Sequence, residues 1–353
     1  MGKEIKNYSL KEISDLSGVS IATLSRYFNG QTVRKSNELK IEEILKQTGY
    51  RPNIAARIMK GSLSGVIGLI IPNITHPFFS EITEGIIEEA RKNNQLVLVT
   101  SSNGSVENEK QDIKQLSNSI LDGLIYIPVA KAENIPEIKN FQNIPLVVTA
   151  RKNIIPNIPH IYHAGEKGGY LATKYLIQMG RKKIAFIASF WEVPCNNKEL
   201  LKFSKNKESF PFSSIDRFRG YVKALNESQI EIDENLLITT GYDYVNGVNS
   251  ASLLDSRLIE IDGVIAMSEA VADGLADKLK SLGYKIPEDI SIIIFDKTVN
   301  NSNYYTNIEL HLKEMGIKSV QMLNQVINTG KSDNISLDVE LVVNNSTTKK
   351  SKN

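Results

Sequence analysis

The stretch SLKEISDLSGVSIATLSRYFNG, residues 9–30, reads as two short amphipathic helices joined by a glycine turn. Leu10, Ile13 and Leu16 recur at helical spacing and predict the buried stripe of a first helix. Gly18 follows where a tight turn needs a residue without a side chain. Val19 then plugs a small core, and Ser20 suits the N-cap of the next helix. In that helix Leu24, Tyr27 and Phe28 point inward, which leaves Ile21, Ala22, Thr23, Ser25 and Arg26 outward. Short outward side chains with hydroxyls and one Arg suit a DNA major groove. Hydroxyls bond phosphates, and Arg grips a guanine edge with two hydrogen bonds. The pattern predicts a helix-turn-helix, against the alternative of a helical hairpin with a solvated face.

At 353 residues the chain has material for two or three domains. Hydrophobic content of 41% and charged content of 23% are those of a soluble globular protein. The single cysteine, Cys195, excludes an internal disulfide and a cysteine-based metal cluster, which fits a reducing cytoplasm. MGKEIKNYS has no apolar core of a signal peptide, and the longest apolar run, 66–71, is too short to cross a bilayer. A cytoplasmic location with no membrane partner is therefore expected. The net charge of +2 is uneven: residues 1–60 carry 11 Lys/Arg against 6 Asp/Glu, and residues 61–348 carry 28 against 34. A basic head on an acidic body is expected where only the head meets phosphate, although a solvated helical surface has the same balance.

A third helix is predicted over about 37–48, with Leu39, Ile41, Ile44 and Leu45 on its apolar side and Gly49 ending it. After Tyr50-Arg51-Pro52-Asn53 comes a short helical stretch, IAARIMK, closed by Gly61. It is too short to be stable alone and reads as a linker helix that needs a partner or DNA to fold. From Val66 onward strands and helices alternate. Strand-like runs fall at 66–71, 95–100, 123–127, 145–150, 183–188, 263–267 and 290–295, with helix-like runs between and after them. Strands that are apolar throughout indicate parallel sheets covered on both faces. Seven such units exceed one compact sheet, so two similar α/β subdomains with a ligand cleft between them are expected. Residues 190–215 break the rhythm and read as a long polar surface insertion.

Eight stretches in register carry a resemblance to the LacI/GalR family of bacterial transcription regulators: GVSIATLSRYFNG (18–30), GYRPNIAAR (49–57), IGLIIPNITHPFFSEI (67–82), LDGLIYIP (121–128), GRKKIAFI (180–187), RFRGY (217–221), LGYKIPEDISIIIFD (282–296) and ELVVNNST (340–347). The resemblance covers about residues 9–347. It implies an N-terminal all-α helix-turn-helix head (1–50), a hinge helix or linker (51–64) and a core of two doubly wound α/β subdomains of periplasmic-binding-protein type (65–347). The subdomain division is expected at 65–163 plus 296–320 and at 164–295 plus 321–347, followed by a basic tail at 348–353. The family binds pseudo-palindromic operators as homodimers, and its paired hinge helices fold on DNA and press an apolar residue into the minor groove. Met59 stands at that wedge position, where leucine is usual.

By position, the resemblance implies base contacts from Ile21, Ala22 and Arg26. Ser20, Thr23, Ser25, Asn29, Tyr50 and Asn53 match phosphate contacts, Arg34 replaces a usual serine beside them, and Ala56 is the small hinge residue. In the cleft Arg217 matches the ligand-clamping arginine, Phe78 and Phe79 the aromatic wall, Tyr242 lies near another aromatic position, and Glu269 stands for the acidic ligand partner. Two acids usual in the family are absent, at Ala150 and at Ala164-Gly165, and a pair of acids survives only as Asp296-Lys297. A free sugar is thus less expected than a different or phosphorylated ligand.

The four histidines, His76, His160, His163 and His311, lack metal-ligand spacing, His76 reading as local structure before Pro77, and no catalytic constellation or cofactor motif appears. The expected function is a sequence-specific regulator, a repressor of carbohydrate uptake or catabolism genes with a sugar or sugar phosphate as effector. A global regulator answering to a phosphorylated protein corepressor, a constitutive repressor with a degenerate effector site, and a solute-binding protein are the alternatives.

Overall fold

The computed structural model describes residues 8–28, 31–50, 63–129, 144–152, 154–190, 197–205, 213–254, 261–297 and 304–351. The chain divides into two compact units, Met1–Ser64 and Gly65–Asn353. Among the described residues no helix is long and apolar enough to cross a membrane.

In the first unit α1 (Leu10–Ser17) begins at a capping box: the Glu12 amide donates to the Ser9 hydroxyl at 3.2 Å, and the Ser9 amide donates back to the Glu12 carboxylate at 2.7 Å. Gly18 ends it at φ +63°, a left-handed turn that glycine takes without strain. The Ser14 hydroxyl donates to the Val19 carbonyl at 2.7 Å, tying the turn to the helix. Ser20 then starts α2 (Ile21–Phe28), its hydroxyl accepting from the Thr23 amide at 3.3 Å. α3 (Lys35–Thr48) closes the bundle and stops at Gly49, φ +64°. Ile13, Val19, Leu24 and Ile41 form the buried centre, with Leu10, Tyr27, Phe28, Ile44, Leu45 and Tyr50 packed around it. Leu16 and Leu39, expected on the buried stripes, are 53% and 56% exposed. In an eight-residue helix the inward line runs from Ile13 to Ser17, whose hydroxyl donates to the Ile13 carbonyl at 2.7 Å, and Leu16 falls on the flank.

The second unit holds two six-stranded sheets. The first contains β1 (Val66–Ile71), β2 (Leu96–Ser101), β3 (Gly123–Tyr126), β4 (Leu146–Thr149), β5 (His160–His163) and β11 (Ile335–Leu337), all parallel in the order β11-β5-β4-β3-β1-β2. The second contains β6 (Ile184–Ser189), β7 (Leu237–Thr240), β8 (Gly263–Ser268), β9 (Ser291–Asp296), β10 (Thr306–Glu309) and β12 (Glu340–Val342). Its order is β12-β10-β9-β8-β6-β7, with only β12 antiparallel to its neighbour. Strands such as VIGLII and SIIIFD are buried nearly end to end because helices cover both faces. Those helices are α4 (Pro77–Lys92), α5 (Val106–Ser117), α6 (Gly165–Gln178), α7 (Asn197–Lys205), α8 (Ser213–Glu227), α9 (Tyr244–Leu254), α10 (Glu269–Ser281) and α11 (Leu312–Thr329).

The chain leaves the first lobe after β5, returns after β10 to build α11 and β11, and crosses once more to β12. The second and third crossings differ from the expected boundaries at 296 and 320. Strand β10, TNIE, is too short and polar to read as a buried strand, and it pairs with β9 in the second sheet. Helix α11 is one continuous element packed on α4, so it cannot be divided at 320. The expected polar insertion at 190–215 is corrected in the same way. Leu200 of α7 is fully buried, Leu201 and Phe203 pack against the same core, and Ser213–Ile215 open α8. The start of the basic tail is also docked: the Lys350 amide donates to the Met179 carbonyl at 2.8 Å, and its ammonium pairs with Asp262 at 2.8 Å.

Because the head has four fully enclosed apolar side chains among the described residues, Leu24→Ala should cost it about 2–5 kcal/mol. Calorimetry should show the head transition lowered or lost while that of residues 65–353 stays in place. A single transition shifted as a whole would contradict two separately cored units.

Candidate functional site

On α2 the residues Ile21 and Ser25, and Ala22 and Arg26, are one turn apart and form a continuous exposed strip. Ile21, apolar, is 46% exposed within this strip. Thr23 is half-buried, its hydroxyl 2.9 Å from that of Ser20. Arg34 sits exposed at the start of α3 and makes no side-chain cap there. Tyr50 lies half-buried against Phe28, ring centroids 5.9 Å apart. Asn29, Asn53, Ala56 and Met59, also expected at this surface, lie outside the described residues.

The second site forms where strands end. In parallel sheets the C-terminal strand ends open onto a crevice, and here both sheets open onto the same one. A small pocket is lined by His76 and Phe78–Phe79 after β1, Arg151 after β4, Tyr242 after β7, Asp296 at the end of β9, and Ser213 in the first turn of α8. The aromatic rings fix its shape. Phe78 and Phe79 meet edge to face at 5.0 Å, and His76 lies 5.6 Å from Phe79 and 5.4 Å from Tyr242, which joins the two lobes across the pocket.

Arg217 is 2% exposed and donates to the Asp296 carboxylate at 3.1 Å, while its guanidinium lies 4.2 Å over the Phe295 ring. Its helix is held close to α6 by glycine. A methyl group at Gly220 would collide with the Glu166 carbonyl oxygen, and one at Gly169 with that of Arg217. The pair lets α6 and α8 touch backbone to backbone and sets the depth at which Arg217 enters the site. Ala150 precedes Arg151 at φ +61°, a left-handed conformation that costs a non-glycine residue on the order of 1 kcal/mol. That turn ends β4 and is where Arg151 begins.

Of the five cleft residues expected from sequence, the structure brings Phe78, Phe79 and Tyr242 to the pocket wall, and Arg217 to the pocket's carboxylate. Glu269 is buried in the first turn of α10, outside the lining, and the carboxylate that faces the pocket is Asp296. Arg151, Ser213 and His76 also line the pocket, beyond the residues that the sequence indicates. The signal for Arg151 was available: a charged residue directly after an apolar parallel strand stands at the ligand end of the sheet. Ser213 was hidden inside the presumed insertion.

Burial sets the protonation of the site. The His163 ring packs against Phe78 at 6.2 Å, and burial, reinforced by the nearby Arg217 charge, pushes its pKa down to about 3. Burial also lowers His76 and His160. Buried in the pocket wall, the Arg151 guanidinium is pulled below its ordinary value for the same reason.

A three-helix DNA-reading head and two parallel α/β lobes that meet at one pocket define a DNA-binding regulator with a small-ligand core. The chain belongs to the lacI family of bacterial regulatory proteins. A profile described as "Bacterial regulatory proteins, lacI family" matches residues 9–53, and one described as "Periplasmic binding proteins and sugar binding domain of LacI family" matches residues 64–345. The HTH-type transcriptional regulator RegA of Clostridium saccharobutylicum is 28% identical over 345 residues, 96% of this chain and 99% of that protein. Among solved structures, the lac repressor dimer bound to operator and the anti-inducer ONPF superposes with a TM-score of 0.78 at 23% identity, over 97% of this chain and all of that one. A LacI family transcriptional regulator from Enterococcus faecium with bound ribose gives 0.66 at 26% identity, over 80% of this chain and 99% of that one.

The three lowered histidines predict acid sensitivity. For His163 the folded value is about 3 and the ordinary value 6.5, so the unfolded chain takes up a proton that the folded chain refuses. Stability is unaffected above pH 6.5 and falls as pH drops from 6.5 towards 3, by at most about 1.4 kcal/mol per pH unit for this group. Unfolding curves of the wild type and His163→Gln between pH 7 and 4 should diverge, the variant losing less; parallel curves would contradict the neutral, buried ring.

Proposed function

We propose that this chain is a repressor of genes for carbohydrate uptake or breakdown. It acts as a homodimer on a pseudo-palindromic operator, with a sugar or sugar phosphate in the cleft as its effector. The observation that carries the DNA-reading half is the exposed strip Ile21, Ala22, Ser25 and Arg26 on a helix capped by Ser20. Ile21 and Ala22 offer no side-chain hydrogen bonds, so they meet thymine methyls or leave room, and Arg26 supplies the bidentate guanine contact. Ser20, Thr23, Ser25 and Arg34 stand where phosphates pass, with Asn29, Tyr50 and Asn53 completing that set. Met59 is the proposed minor-groove wedge and Ala56 the small residue beside it.

The carbohydrate assignment is supported by the sugar-binding description that matches residues 64–345 and by the ribose held in the Enterococcus relative. Phe78, Phe79 and Tyr242 form the ligand wall, and Arg217 holds the Asp296 carboxylate that faces it. A ligand there favours one angle between the lobes over another, and the lobe angle decides whether two hinge helices can pair over the operator.

Arg26→Ala should lose at least about 1–3 kcal/mol of operator discrimination in gel-shift titrations while circular dichroism stays that of the wild type. Unchanged affinity for the operator would remove α2 from the role of reading helix.

A further inference from the structure

Among the described residues Arg151 forms no ion pair that would explain its burial. Its side chain is 5% exposed, and its one hydrogen bond among the described residues runs from Nη1 to the carbonyl of its own neighbour, Ala150, at 2.9 Å. Its Nε is shielded from solvent and unpartnered. The acids around it are committed elsewhere. Asp296 holds Arg217 at 3.1 Å, Glu109 accepts from the Val129 amide at 2.6 Å, and Asp216 takes both Lys152 and Arg219 at 2.8 Å. A guanidinium withdrawn from water without a carboxylate is costly, and it persists where a ligand supplies the missing charge. The fork of an arginine matches an oxyanion edge to edge. α4, which begins at Pro77 beside the same pocket, has its first amides accepted by His76, so only the field of its dipole reaches the site.

We propose that the cleft takes a small polyhydroxylated metabolite carrying an oxyanion, and that Arg151 is the residue that binds it. The inference rests on the reading of this cleft as the effector site and narrows its ligand class. Asp296, with Oδ1 held by Arg217, offers Oδ2 to a hydroxyl, and the Phe78, Phe79 and Tyr242 rings cover the apolar face of the sugar. Phosphate esters and carboxylates share this chemistry, and the test separates them.

The full-length protein is titrated by calorimetry with glucose, glucose 6-phosphate, glucuronate and inorganic phosphate, and operator affinity is measured in parallel by gel shift. At least one of the three anions is expected to bind and to change operator affinity, with glucose weaker by about tenfold or more. A response to glucuronate but not to the phosphates assigns the oxyanion to a carboxylate; the reverse assigns it to a phosphate. Arg151→Gln should lose about tenfold of the anion's affinity and Arg151→Lys regain part of it through its point charge. Glucose binding as tightly as glucose 6-phosphate and glucuronate, no response to any of the anions, or an Arg151→Gln protein that binds the anion like the wild type would each overturn the inference. The wild-type comparison stands even if a variant does not fold. Loss of the inference with specific operator binding intact leaves the proposed function standing, whereas a wild type without specific operator binding removes that broader reading.

Discussion

Parallel strand pairing is the constraint on which the core depends. Among the described residues eleven of the twelve strands run parallel within their sheets, so each lobe has a single edge where the loops that follow parallel strands emerge. The chain crosses between lobes after β5, β10 and β11, which ties the two sheets together and sets those edges facing one crevice. His76, Arg151, Tyr242 and Asp296 come from four strands far apart in sequence and share one pocket for this reason. The all-apolar strands that make this possible are also why the loops carry the chemistry: a strand buried on both faces has no polar side chain to spare.

Charge burial then decides what the pocket does. Arg217 is matched by Asp296 and a ring face, so its burial is balanced within the protein. Arg151, a few residues from β4, is not balanced by any carboxylate at ion-pair distance among the described residues. The neutral His163 beside Phe78 adds no competing charge at ordinary pH. A cleft with one paired and one unpaired arginine, beneath the start of a long helix, favours an anion over an uncharged sugar.

Most of the fold was legible in the sequence because periodicity reports burial directly. The helix-turn-helix residues, the long helices and the mainly apolar strands have patterns that report burial, although β2 at the sheet edge leaves Leu96 and Leu98 exposed. The strands β5, β7, β10, β11 and β12 were not legible, since each is three or four residues long and most contain polar side chains such as those of Thr306 and Asn307. Their pairing is set by the neighbouring strand and the crossover, not by local pattern. The same limit misplaced two lobe boundaries. At the cleft, the aromatic wall and Arg217 were legible, while the burial of Arg151 was not, because a single charged residue after a strand has the same sequence pattern as an exposed loop residue and only the fold shows it buried. Leu16 and Leu39 show the converse, apolar residues at helical spacing that a three-helix head is too small to cover.

The head and the core have separate hydrophobic centres, and the chain between them, residues 51–62, lies outside the described residues. In the proposed function two copies of one head, each presenting α2 to a half-site, read a DNA site with matching two-fold symmetry. Selection of the full-length protein against a random duplex library, followed by sequencing of the bound fraction, measures this directly. The account predicts enrichment of an inverted repeat with two half-sites related by a dyad. Recovery of DNA with no shared motif, or with a single asymmetric site, would contradict it.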